Sequence, residues 1–345
     1  MRFVAVLVGL FLVGCGGVGQ HRVTPWPVAE RRANASWERT FAQPTALRVT
    51  AWVTGAVLAS PDILIDPDNP RTPTAERKAQ WVPSVTYLVE HPTQGRFLMD
   101  TGVSALALGP CAYGLRPFYW VPCRTAAGRD VVARLHERGL SARDLRFVMM
   151  SHFHGDHVGG LKSLLSDGLE TVLTTPEEWA AVTSWKSPLE GYLDDQVRGT
   201  YAVRTLDRTE AVAMPHLGRV WDLFGDGSVW LLPVMGHTRG QLAALLNTES
   251  GPLLLTFDAS HIRSNLERRI VPRMTVNATQ ALGAIDRLRA FRAAYPSVRV
   301  LYGHEPTQWT PGREEVVLAH PRESSPTPVS TAPASSERLC SSDAP

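Results

Sequence analysis

The stretch Ser151-His152-Phe153-His154-Gly155-Asp156-His157 decides the fold of this chain. Three imidazoles and a carboxylate fall within six positions, which makes a poor core and a good metal site. Imidazole nitrogens suit zinc and related cations, and the carboxylate adds negative charge that helps hold a second one. The stretch follows an apolar run, residues 145–150, that reads as a buried strand, and it precedes Val158-Gly159-Gly160.

Outward from this point the same arrangement recurs. Met149-Met150 runs into His152, Val234-Met235 into His237, Thr256-Phe257 into Asp258, and Leu301-Tyr302 into His304. Strand ends held by a buried sheet are where a rigid scaffold places chemistry carried on loops. Strands are expected over 47–57, 85–89, 96–99, 145–150, 230–234, 253–257 and 298–302. The second and third form a hairpin around 91–95 and lead into Asp100-Thr101-Gly102. Helices are expected over 129–138, stopped by Gly139, and over 278–294, stopped before Pro296. Residues 61–78 carry several Pro and Asp and read as a loop. Alternating strands and helices make an α/β protein.

Bulk properties agree with a folded enzyme and exclude little else. In 345 residues, 44% are hydrophobic and 20% charged, enough for a substantial core. The formal charge is +2, and no block of Lys and Arg runs together. A nucleic-acid surface or a polybasic membrane patch is therefore not expected.

The N-terminus reads as an export signal. Arg2 precedes the apolar run 3–13, which is too short to span a bilayer, and Leu12-Val13-Gly14-Cys15 follows. That ending resembles the lipobox of bacterial lipoproteins. The resemblance implies a signal peptide over 1–14, cleavage before Cys15, and a mature chain held to a membrane by lipid on Cys15. Gly16 follows where an inner-membrane retention signal would often have Asp, which favours the outer membrane. An ordinary secretory signal leaving a periplasmic protein is the alternative. Residues 15–45 are expected to be a linker, 46–312 the folded domain, and 313–345 a disordered tail rich in Pro and Ser. In an oxidising compartment Cys111 and Cys123 can pair, closing a loop that contains Phe118, Tyr119 and Trp120. Those aromatics either line an acyl pocket or simply pack.

The H-x-H-x-D-H pattern after an apolar strand resembles the signature of the metallo-β-lactamase superfamily. Asp100-Thr101-Gly102, Gly236-His237-Thr238, Asp258 and Gly303-His304 follow the family's order. The resemblance spans roughly residues 46–308 and implies an αββα sandwich, two mixed sheets face to face with helices outside. It also implies a ligand set. His152, His154 and His237 would hold a first metal, Asp156, His157 and His304 a second, and Asp258 would bridge them. Asp100 would orient a ligand imidazole. His21, His91, His136, His216 and His320 match no motif and are expected to be surface or structural. The implied cofactor is a pair of divalent cations, zinc first, with iron, manganese and cobalt as alternatives.

Two such cations lower the pKa of a shared water to near neutral, so no Ser or Cys nucleophile is needed. Asp156 or Asp258 would carry a proton to the leaving group. Lactone, carboxyl-ester, thioester, amide and phosphodiester cleavage all fit this machinery. Asp258 argues against true β-lactamase activity, because those enzymes generally lack the bridging Asp. The full ligand set is similar to that of glyoxalase II thioesterases and of N-acyl homoserine lactonases. Asp258-Ala259-Ser260 with Asn265-Leu266-Glu267, the early hairpin and the long insert after Asp100 favour the lactonases. The expected partner is therefore a small-molecule ester or lactone. One departure is His261, which stands where those lactonases carry a Tyr that steadies the substrate's oxygen. An imidazole can also donate to a carbonyl oxygen, so His261 joins Asp156 and Asp258 as a catalytic candidate. A phosphodiesterase, an iron-dependent redox enzyme and a non-catalytic metal-binding protein remain the other classes.

Overall fold

Apolar side chains alternate along the strands with a period of two, and the two alternate sets enter different cores. A computed structural model of the protein describes residues 21–27, 36–104, 121–125 and 128–322. The first sheet contains β1 (Arg22–Pro25), β2 (Arg48–Ala59), β3 (Gln80–His91), β4 (Gly95–Met99), β5 (Cys123–Arg124), β6 (Leu145–Met149), β7 (Thr171–Thr174), β8 (Ala202–Thr205) and β15 (Glu315–Ala319). Its order is β1-β8-β7-β6-β4-β3-β2-β15, with β5 on β2. The second contains β9 (Val212–Met214), β10 (Gly218–Asp222), β11 (Val229–Pro233), β12 (Leu242–Thr248), β13 (Gly251–Leu255) and β14 (Arg299–Leu301). Its order is β14-β13-β12-β11-β10-β9.

Between the sheets, Val89, Phe97, Phe147 and Met149 of the first meet Leu231, Ala244, Leu246 and Leu255 of the second. The intervening residues point outward. Leu88, Leu98 and Val148 pack under Val131, Leu135, Leu161, Leu164 and Trp179 of three short helices. On the far side Trp230, Leu232, Leu245 and Leu254 pack under Ile285, Leu288 and Phe291. The last three belong to helix Ala278–Ala294, capped by Asn277, whose side chain accepts from the Gln280 amide. This is the αββα sandwich.

Direction places the site. β4 and β6 run parallel, so Asp100 and the 151–157 loop leave the first sheet at one end. In the second sheet β11 and β13 share a direction through antiparallel β12, and β14 is parallel to β13. His237, Asp258 and His304 therefore leave from one end as well. The Leu242 amide donates to the Ser151 carbonyl (3.0 Å) and ties the two ends together.

The folded unit extends beyond residues 46–312 at both ends. In the expected linker, β1 adds to the first sheet beside β8, and helix Trp37–Phe41 buries Trp37 fully against Trp230 and Phe291. Tryptophan's large apolar area makes it an anchor even in a short segment. In the expected tail, β15 pairs with β2, and Glu315 accepts from Trp52 Nε1 (3.1 Å) and from Arg138 (2.7 Å). The stretch 61–78, expected as a loop, contains two short helices, the α-helical Pro61–Leu64 and the 3-10 Thr74–Arg77. The first of the two expected helices is the shorter Val131–His136, and the second is Ala278–Ala294 as read. Residues 1–20, including Cys15, and 323–345 lie outside the described residues, as do Cys111 and Phe118-Tyr119-Trp120. Cys123 is disulfide-bonded. Among the described residues no helix is long and apolar enough to cross a membrane.

Candidate metal centre

Every expected ligand converges on one point. The ligand atoms of His152, His154, His237 and Asp258 lie within 4.8 Å of one another, and those of Asp156, His157 and His304 form a second such group. Asp258 stands between them. Its Oδ2 is 3.4 Å from His237 Nε2 and 3.6 Å from His152 Nε2. Its Oδ1 is 3.2 Å from both His157 Nε2 and His304 Nε2. Asp156 Oδ2 is 3.3 Å from His304 Nε2.

Hydrogen bonds on the outer nitrogens fix which ring atom each imidazole turns inward. His152 Nδ1 donates to Ser151 Oγ (3.0 Å), His157 Nδ1 to Asp100 (2.7 Å), and His304 Nδ1 to the Pro83 carbonyl (2.8 Å). His154 is turned the other way, with Nε2 donating to the Glu190 carbonyl (3.0 Å), so its Nδ1 faces His237 Nε2 (2.9 Å). Asp100 is the orienting carboxylate expected from its motif.

The donor set fits metal. His152 Nε2, His157 Nε2 and Asp258 Oδ1 are buried with no hydrogen-bond partner. Leaving such atoms bare costs about 1–3 kcal/mol each, more for a charged group. Burial, followed by neighbouring imidazoles, holds His152 and His237 well below the ordinary histidine range, so their lone pairs are free. Burial also opposes charge on His157, but Asp258, Asp156 and Asp100 outweigh it and raise that ring well above the ordinary range. Burial would raise Asp258, yet His261, His304 and His157 keep it ionised. Five imidazoles and two carboxylates suit zinc and its neighbours better than magnesium or calcium.

Local backbone aims these groups. Phe257 (φ 44°) and Asp100 (φ 58°) adopt left-handed conformations. For a bulky Phe this is strained, and its burial between the sheets against Tyr87 holds it there. A side chain at Gly303 would meet Asp258 Oδ1 at 2.6 Å, so only glycine lets that carboxylate sit where it does.

His261 is fully buried, and its Nε2 lies 3.2 Å from Asp258 Oδ2. Two further residues carry the site without any sequence signal that singled them out. Glu178 is fully buried, and its carboxylate accepts from the Phe153 amide (3.3 Å), Tyr192 OH (2.8 Å), Thr238 Oγ1 (2.8 Å) and the Gly240 amide (2.9 Å). It joins the 151–157 loop to the 236–240 loop. Gln241 Oε1 accepts from the Asp258 (3.0 Å) and Ala259 (2.9 Å) amides. Among the unmatched histidines, His91 is structural, buried at 3.0 Å from both Asp226 Oδ2 and Ser228 Oγ.

A αββα sandwich with this centre defines a metal-dependent hydrolase. The metallo-beta-lactamase superfamily model matches residues 79–304, and the chain belongs to that superfamily. It is 25% identical over 235 residues to a protein of Azorhizobium caulinodans named N-acyl homoserine lactonase AttM, covering 66% of this chain and 84% of that one. An N-acyl homoserine lactonase from a Bacillus species is 29% identical over 228 residues, covering 65% and 82%. Among solved structures, an N-acyl homoserine lactone hydrolase with N-hexanoyl-L-homoserine at its metal centre superimposes with a TM-score of 0.60. It shares 22% identity over 76% of this chain and 95% of that one. The dizinc quorum-quenching lactonase AidC gives 0.53 at 14% identity, over 80% and 91%. Both show the same fold.

Proposed function

We propose that this chain opens a small-molecule lactone with a binuclear zinc centre, and that N-acyl homoserine lactones are its substrate class. Asp258 carries the reading, because its carboxylate lies between the two halves of the ligand set, with Oδ2 near His237 and His152, Oδ1 near His157, and His304 within reach of both oxygens. Two bound cations supply a water of lowered pKa and polarise the carbonyl. The chain's own residues do the rest. Asp156 is 8% exposed, the most open carboxylate of the centre, and is placed to hand a proton to the alkoxide released when the ring C–O bond breaks. Asp258 is the other proton carrier. Water adds across the C–O bond, so the product is a hydroxy acid.

Exposed apolar side chains support an acyl-bearing substrate. Trp185, Leu189, Met274 and Val276 are exposed. They sit on two segments that each touch the centre. The Glu190 carbonyl accepts from His154, and the Val276 amide donates to the His237 carbonyl (3.3 Å). Exposed apolar groups beside a polar centre suit a substrate with a tail. The Leu12-Val13-Gly14-Cys15 ending supports export and lipid attachment through Cys15.

The test is hydrolysis by the zinc-loaded mature protein of four substrates in parallel. These are a long-chain acyl-homoserine lactone, S-lactoylglutathione, a chromogenic cephalosporin and bis-p-nitrophenyl phosphate. The lactone should lead in kcat/KM by about a hundredfold, roughly 3 kcal/mol in transition-state stabilisation. A lead for the thioester or phosphodiester leaves the fold and centre intact and removes the lactonase reading. The absorption spectrum of native protein separates zinc from iron.

A further inference from the structure

His261 is the one imidazole at the centre that the seven-ligand set leaves without a task. Its backbone is locked to the loop of a ligand, since the His304 amide donates to the His261 carbonyl (2.6 Å). Its ring stands between two ligand rings, with centroids 4.7 Å from His237 and 5.7 Å from His304. The nitrogens nearest Asp258 Oδ2 are His261 Nε2 (3.2 Å), His304 Nε2 (3.3 Å), His237 Nε2 (3.4 Å) and His152 Nε2 (3.6 Å). His261 thus lies as close to the shared carboxylate as the expected ligands do.

Two observations set its direction. Neither Nδ1 nor Nε2 has a hydrogen-bond partner, although the ring is fully buried. An imidazole left bare in this way pays the desolvation of its polar atoms, and a Phe of similar shape would carry no such penalty. The open edge of the centre is marked by His154, Asp156 and His237, which retain some exposure, whereas His261 and His152 retain none. A group that steadies a substrate oxygen must face the mouth. A group that holds metal from below need not.

We propose that His261 Nε2 is an eighth metal donor, ligating from the buried side of the centre beside Asp258. The proposal rests on the centre being metal-bound and does not depend on the lactone. It gives the chain six imidazoles where the expected set has five, which favours imidazole-preferring cations and tightens their retention. It also reassigns His261 from the substrate to the metal.

The test uses the full-length mature protein and reads the metal directly. In wild-type protein labelled with 13C and 15N, adding zinc to the stripped form should shift the His261 Nε2 resonance, identified by through-bond correlation to its own backbone amide. His261→Phe and His261→Tyr should each bind zinc about tenfold more weakly or worse in competition with a chromophoric chelator. The visible absorption of their cobalt forms should also change. Chelator curves and cobalt spectra that superimpose on wild type would overturn the proposal. If only turnover fell with them, His261 would return to the substrate-oxygen role. Should both variants fail to fold, the wild-type zinc shift decides alone, because an unmoved ring nitrogen is not a ligand. The NMR, chelator and cobalt readings involve no substrate, so a failed lactone assay leaves them standing.

Discussion

Asp100 Oδ2 accepts from His157 Nδ1 at 2.7 Å, and this bond fixes the tautomer that turns His157 Nε2 toward Asp258. The same carboxylate accepts from the Ser151 amide and hydroxyl, both at 2.7 Å. It receives three donors and gives none. Asp100→Asn places an NH2 against at least one of them. Zinc affinity should fall about 10- to 100-fold, as expected for loss of a partner that orients a ligand. Chelator competition checks it, and an unchanged affinity would mean the tautomer is set elsewhere.

Glu178 gives a stronger version of the same argument. Four donors converge on its two oxygens, three from the 151–157 and 236–240 loops and the fourth from Tyr192. Burial raises its carboxyl above the ordinary range, and the hydrogen bonds from Thr238, Tyr192, Gly240 and Phe153 pull against that rise. In Glu178→Gln the NH2 group must face two donors, so the isosteric change should destabilise by about 2–4 kcal/mol. Urea unfolding of the metal-free form reads this, and loss of a few tenths only would sink the assignment.

The sequence marked what is dense or periodic. Three His and an Asp in 152–157 stand out because no core tolerates them, and helix Ala278–Ala294 because its buried residues repeat at helical spacing. Glu178 stays hidden because Thr175-Pro176-Glu177-Glu178 reads as an ordinary helix start. Thr175 does cap the helix, while the Glu turns to the metal loops. β12 goes unmarked because Leu-Ala-Ala-Leu-Leu is buried on both faces and made of helix-favouring residues, so no alternation shows. β1 and helix Trp37–Phe41 are too short to carry a pattern, and only packing reveals them. The direction of the His261 ring depends on tertiary placement and had no linear signal.

Away from the centre, Asp226 ties stability to pH. Burial would raise its carboxyl, but His91 Nε2 and the Ser228 hydroxyl and amide bring it down to about 2. A carboxyl depressed in the folded state stabilises above its unfolded value and loses that contribution as pH falls through the folded one. At pH 7 Asp226→Asn should be less stable than wild type by roughly 1–2 kcal/mol, discounted because the side chain is one-third exposed. The gap should close between about pH 5 and pH 2. A gap independent of pH in urea titrations would show that charge is not the cause.

Metal should raise stability by mass action. Zinc at about a thousandfold over its Kd adds roughly 4 kcal/mol if the unfolded chain does not bind it. The stripped protein should nonetheless stay folded, because the three main cores consist of apolar side chains and include no ligand. The expected result is a melting temperature that climbs with zinc concentration above a folded baseline. One that ignores zinc would refute the fit of the donor set to metal.

Gly303 offers the sharpest test of Asp258. A methyl group there meets Asp258 Oδ1 at 2.6 Å and the Phe257 carbonyl oxygen at 2.8 Å. Neither can yield freely, since Phe257 is already held in a strained conformation and Asp258 is ringed by five imidazoles. Gly303→Ala should therefore displace the Asp258 carboxylate and lower hydrolysis about a hundredfold or more, with weaker zinc binding. Gly283→Ala is the matched control. It lies within helix Ala278–Ala294, and its added carbon meets only Arg287 Nη1 at 3.8 Å. That change should raise stability by about 0.5–1 kcal/mol through helix propensity and leave activity alone. If Gly303→Ala kept full activity and both metals, Asp258 could not be the group that joins the two halves of the centre.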